Sequence, residues 1–144
     1  MKQRIPRRAW NSPAGAAHRP RILIEDDRPA LAISDFSLFQ QAGFDVAFCS
    51  GPGPDEAACP LLRGQECPAL SGADAVLHGL DARLGVARSI RRALPGTPVV
   101  VRQHRLDDGS DQAVPDGCVP LAPECSVPGQ ISALKRALAS RPPV

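Results

Sequence analysis

A chain of 144 residues is one domain by length, and long enough to bury a core without disulfide support. Its 43% hydrophobic content fits a globular protein; no apolar run approaches the ~20 residues that span a membrane, and no apolar signal core follows the N-terminal charges, so the cytoplasm is the expected compartment. The net charge of +2 conceals an asymmetry, because residues 1–21 carry six basic side chains and no acid, leaving 11 basic and 15 acidic ones in the remainder.

A mildly acidic body speaks against a nucleic-acid surface, and no direct nucleic-acid or membrane binding is expected. The tail, with Pro6, Pro13, Gly15 and Pro20 among its charges, cannot bury enough surface to order itself. Residues 1–20 are predicted to be disordered and dispensable for folding, with a weak contact to an acidic partner as the other use of the charges. Trp10 is the exception, since a lone aromatic in such a tail can dock on the body. Residues 141–144 are expected to be a disordered end, and 21–140 the folded domain. Five cysteines in a cytoplasmic chain should mostly be thiols, and an odd count argues against a purely structural disulfide framework.

In chain order, Arg21 to Glu25 reads as a first strand, short and apolar enough to be buried on both faces. Pro29 to Ala42 reads as a helix, with Leu31, Ile33, Phe36, Leu38 and Phe39 among polar residues, Pro29 in the first turn and Gly43 as the stop. Phe44 to Cys49 is a second strand. Residues 50–72 hold four prolines, which deny this crossover a long helix. A third strand spans Ala73 to Leu80, and a helix spans Ala82 to Leu94, stopped by Pro95-Gly96. Thr97 to Val101 is a β-branched fourth strand. The turn-rich run LDDGSDQAVPDG leaves room for at most a stub of helix before a fifth strand at Cys118 to Leu121. The last helix follows Ser126, with Pro128 in its first turn and Ile131, Leu134 and Leu138 inward. Such alternation implies a doubly wound parallel sheet, with ligands beyond the carboxyl ends of the strands.

No Ser–His–Asp order, Walker loop or dinucleotide fingerprint occurs, and Gly51-Pro52-Gly53-Pro54 lacks the lysine of a phosphate loop. No catalytic residue and no required cofactor are therefore assigned. His78 reads as a sheet residue against a helix, His104 as a loop residue and His18 as part of the tail.

The stretch RILIEDDRPALAISDFSLFQQAGFDVAF, in its setting from about Arg21 to Ala139, resembles the receiver domains of response regulators. The resemblance implies a five-stranded parallel sheet of order 2-1-3-4-5, here with the second helix replaced by an irregular Cys/Pro-rich crossover and the fourth short or absent. It also implies an acidic pocket for Mg²⁺ at the end of the first strand, with Glu25 and Asp26 as the metal-facing pair and Asp27 just beyond. Two carboxylates there suit a hard cation that also bridges a phosphoryl group. Solvation of the acids as a self-repelling cluster is the alternative.

Three positions break the pattern: Gly79 stands at the phosphoacceptor aspartate, Gln103 at the Ser or Thr after strand four, and Ala122 at the phosphoryl-contacting lysine. Glycine cannot replace a carboxylate nucleophile. Asp81 is the rescue candidate, two residues on and about 6.6 Å further along, against a simpler role as N-cap of the following helix. The expected function is a stand-alone pseudo-receiver, a non-enzymatic module of two-component-type phosphorelay signalling acting through a protein partner or self-association. As no DNA-binding domain follows, its output should pass to that partner. Two alternatives stay open: a phosphorelay receiver using Asp81, and a redox or metal sensor using Cys49, Cys59 and Cys67. For the latter, zinc or an iron–sulfur cluster would need a fourth ligand from Cys118, Cys125, His78 or His104, whereas buried packing or a thiol pair needs none.

Overall fold

The computed structural model describes residues 10, 19–51, 59–81, 84–103, 114–122 and 125–140, the side chains of 29–33 excepted. The expected tail disorder at 1–9 and 11–18, the end at 141–144, residues 106–113 of the 106–117 run with room for at most a helix stub, His18 and His104 lie outside the described residues.

Five parallel strands form one sheet in the order β2-β1-β3-β4-β5: β1 Arg21–Glu25, β2 Asp45–Cys49, β3 Ala75–His78, β4 Val99–Val101 and β5 Val119–Pro120. The helices are α1 Pro29–Gln41, α2 Pro68–Ser71, α3 Val86–Ala93 and α4 Val127–Ala139, with a 3₁₀ turn at Leu61–Arg63. The expected parallel sheet of order 2-1-3-4-5 is the observed one, and the crossover expected to replace the second helix carries the four-residue α2. Strand alternation divides the core into two layers. Leu23, Val76 and Val99 point to the side that also holds Leu70 of α2 and Ile90 of α3. Ile22, Ile24, Leu77 and Val100 point to the side of Phe39 of α1 and Leu134 of α4. Burial on both faces is why these strands read as unbroken apolar runs.

Local chemistry sets most boundaries. Pro29 opens α1, and Gly43, at φ 101°, takes the left-handed turn after it. The Arg19 guanidinium donates to the carbonyls of Gln40 and Gly43, serving the carbonyl-rich end of α1. Ser126 caps α4, its Oγ accepting from the Gly129 N–H at 3.2 Å. One expected boundary is wrong: α3 starts at Val86, not Ala82, because Gly85 at φ 75° is its left-handed entry residue. Asp81 is therefore not its N-cap.

The prolines of the second crossover reduce α2 to four residues, too short to cover its side of the sheet. Trp10 occupies the remaining space. It is 8% exposed, packs in the same layer as Leu70 and Val76, and donates from Nε1 to the Ala69 carbonyl at 3.2 Å. The Arg21 guanidinium lies over its ring at 5.6 Å. Gly72 makes room, since a Cβ there would come within 2.6 Å of Trp10 Nε1. Trp10, the expected exception in the tail, is thus docked on the body.

Candidate functional site

The carboxyl ends of β1, β2 and β3 place Glu25 beside Cys49 on one neighbour and His78 on the other. Glu25 and His78 follow Leu23 and Val76 by two residues, so both face the α2–α3 layer. Each is 2% exposed, and Glu25 Oε1 sits 2.6 Å from His78 Nδ1. The Glu25–Asp26 metal pair expected from the sequence is therefore divided, with Glu25 committed to a buried histidine.

Asp26 turns to a different set of partners. Its Oδ1 accepts from the backbone N–H and Nε of Arg28, both at 2.9 Å, and its Oδ2 accepts from Arg28 Nη2 at 2.9 Å and Arg102 Nη1 at 3.0 Å. The Arg28 contact is a two-pronged fork, the strong geometry for a guanidinium and a carboxylate. Arg102, 8% exposed just after β4, also donates from Nη2 to Asp35 Oδ2 at 2.5 Å and from Nε to Gln130 Oε1 at 3.0 Å. It therefore joins β1, α1 and α4 to the end of β4. Asp27 is exposed.

Gly79 shapes this arrangement. A Cβ on it would stand 2.7 Å from Asp26 Oδ2, 3.1 Å from the Glu25 carbonyl and 3.4 Å from Arg102 Cδ. Asp26 thus fills the space that a side chain at 79 would need. Gln103 is half-buried after β4 and Ala122 is exposed after β5. Asp81 lies beyond the end of β3, its carbonyl accepting from the Leu84 N–H at 3.1 Å. Sequence reasoning missed Arg102, Arg28 and Asp35; the available signal was an arginine directly after three valines, at the ligand-binding end of the sheet.

Burial pushes the Asp26 carboxyl up, but the Arg28 hydrogen bonds and the charges of Arg28 and Arg102 outweigh it and hold the group below its usual range. A carboxyl lowered in the folded state stabilises the fold above its unfolded value, about 3.9, and that contribution is lost as the pH falls through the folded value. Urea midpoints should accordingly fall as the pH drops below about 5, and Asp26→Asn should flatten that fall. An equal slope in both proteins would show that Asp26 is not the linked group.

All five cysteines are half-buried free thiols. Burial first, and then the nearby Glu25 charge, pushes Cys49 up to about 12, so it stays protonated at neutral pH and is a poor nucleophile. Burial also raises Cys118. Among the described residues, no three His, Cys, Asp or Glu side chains are grouped to hold a metal ion, whether at the acids or at Cys49, Cys59 and Cys67.

No protein-family model and no curated protein matches the sequence. Solved structures do. A response regulator receiver domain protein from Clostridium thermocellum is similar at 16% identity and a TM-score of 0.60, over 83% of this chain and 94% of that one. A response regulator receiver protein from Sinorhizobium medicae is similar at 23% and 0.60, over 86% and 98%. The chain has the receiver-domain fold. The signal receiver domain of an HD domain-containing protein from Pseudomonas fluorescens is a third receiver of this kind, at 20% and 0.59, over 89% and 93%.

Proposed function

We propose that this receiver-fold chain is a non-enzymatic regulatory module of two-component-type signalling that acts through protein contacts, without phosphorylation of an aspartate. The observation that carries the reading is Gly79: the residue matched to the acceptor has no side chain, and Asp26 Oδ2 takes the space beside it. A phosphoryl group needs an oxygen nucleophile there and a polarising cation close by. Gln103 and Ala122 supply neither a hydroxyl nor an ammonium there, and the cation that is present, the Arg102 guanidinium, is already held by Asp26, Asp35 and Gln130. No helix among the described residues is long and apolar enough to cross a membrane.

Incubation with acetyl phosphate and MgCl₂, followed by intact mass measurement, is expected to leave the protein unmodified. A hydroxylamine-labile phosphoryl adduct would refute the reading, and its loss in Asp81→Asn would move the acceptor to Asp81. The cysteine-sensor alternative gains no support from the geometry, because Cys49 is a suppressed nucleophile and Cys59 and Cys67 belong to no ligand cluster among the described residues.

A further inference from the structure

The receiver resemblance implies a divalent cation at the strand ends, and the residues present do not fit one. A hard cation needs carboxylate oxygens with free lone pairs. Asp26 has none to spare: each of its oxygens already accepts two N–H bonds, from Arg28 and Arg102. Asp35, 5% exposed, is taken by Arg102 Nη2. Two carboxylates face two guanidiniums, so the pocket has no net negative charge to attract an ion, and an entering ion would stand beside a buried positive group. Of the other two acids of the run, Asp27 is exposed and Glu25 is turned to the opposite layer and held by His78 Nδ1 at 2.6 Å.

We infer that Arg102 is the resident cation of this site. Its guanidinium stands among Asp26, Asp35 and Gln130, ties α1 and α4 to the ends of β1 and β4, and closes the pocket to Mg²⁺ and Mn²⁺. A guanidinium keeps its charge at any physiological pH and cannot be chelated away. The arrangement of α1 and α4 is therefore set by the chain and does not respond to divalent-ion concentration. Arg102 acts as a positioning residue. This deepens the reading of a site that has given up phosphoryl transfer, and its test is separate from that one.

The test is a MnCl₂ titration of the full chain followed by water-proton relaxation, with thermal midpoints in MgCl₂ and in NaCl of matched ionic strength. The wild-type protein should show no saturable Mn²⁺ binding and the same midpoint in both salts. Arg102→Met, which frees Asp35 and removes one of the four hydrogen bonds on Asp26 together with the buried positive charge, should show saturable Mn²⁺ binding where the wild type shows none. Arg102→Gln, which keeps a donor to Asp26 but removes the charge, serves if the methionine variant does not fold. Saturable binding by the wild type, or a folded Arg102 variant that gains none, overturns the inference. Wild-type Mn²⁺ binding without phosphorylation by acetyl phosphate would overturn this inference alone.

Discussion

Replacing Trp10 with alanine is expected to destabilise the protein by about 3–5 kcal/mol and to lower its thermal midpoint by roughly 10 °C or more. A large aromatic that is 8% exposed leaves a cavity that its neighbours can only partly refill. The effect should be large here because the cavity would open under α2, whose single turn has little freedom to follow. The Ala69 carbonyl would also lose its Nε1 donor. Against a total stability of about 5–15 kcal/mol, a loss of this size is severe. Deleting residues 1–9 and leaving Trp10 in place should have little effect. A Trp10→Ala protein melting within a couple of degrees of the wild type would mean that the indole does not pack where the structure puts it.

Placing an aspartate at position 79 should destabilise the fold and should not create a phosphoryl acceptor. Gly79→Asp places a Cβ 2.7 Å from Asp26 Oδ2, in a pocket where Asp26 is held from two sides by Arg28 and Arg102. Overpacking costs about 1–3 kcal/mol, and a second buried carboxylate beside the first adds repulsion, so a loss of about 3 kcal/mol is expected. Gly79→Ala, which adds the Cβ without the charge, should lose about 1–3 kcal/mol and separates the two contributions. Both are read as denaturation midpoints. An unchanged midpoint in Gly79→Asp, with phosphate incorporated from acetyl phosphate, would show that the pocket relaxes and that only the acceptor had been missing.

Local signals in the sequence made the framework legible. Apolar runs gave the five strands, Pro29 and Gly43 bounded α1, Ser126 marked the start of α4, and the prolines of 50–72 excluded a long second helix, although the single turn of α2 within that crossover was not expected. The site was less legible, for two physical reasons. Alternation along β1 puts Glu25 on the face of Leu23, so reading the acids as one contiguous cluster merged groups that serve opposite layers. Arg102 finds its acids 76 and 67 residues away, a pairing set by sheet order and helix docking that no window of sequence contains. Trp10 is similar: its aromatic character pointed to docking, but the vacancy it fills exists only because a distant crossover is too short.

The outer rim of the sheet at β5 sets limits on how copies of this chain can meet. Leu121 N–H bonds inward to the Val101 carbonyl, so by alternation the backbone nitrogen facing outward belongs to Pro120, which carries no hydrogen. An intruding strand would find no donor there, although Val119 beside it is 41% exposed and apolar. Proline on an edge blocks templated strand addition, the first step of sheet-to-sheet aggregation and of swapped dimers. Self-association along this rim would have to proceed through side chains, which makes it easier to reverse than fusion of two sheets.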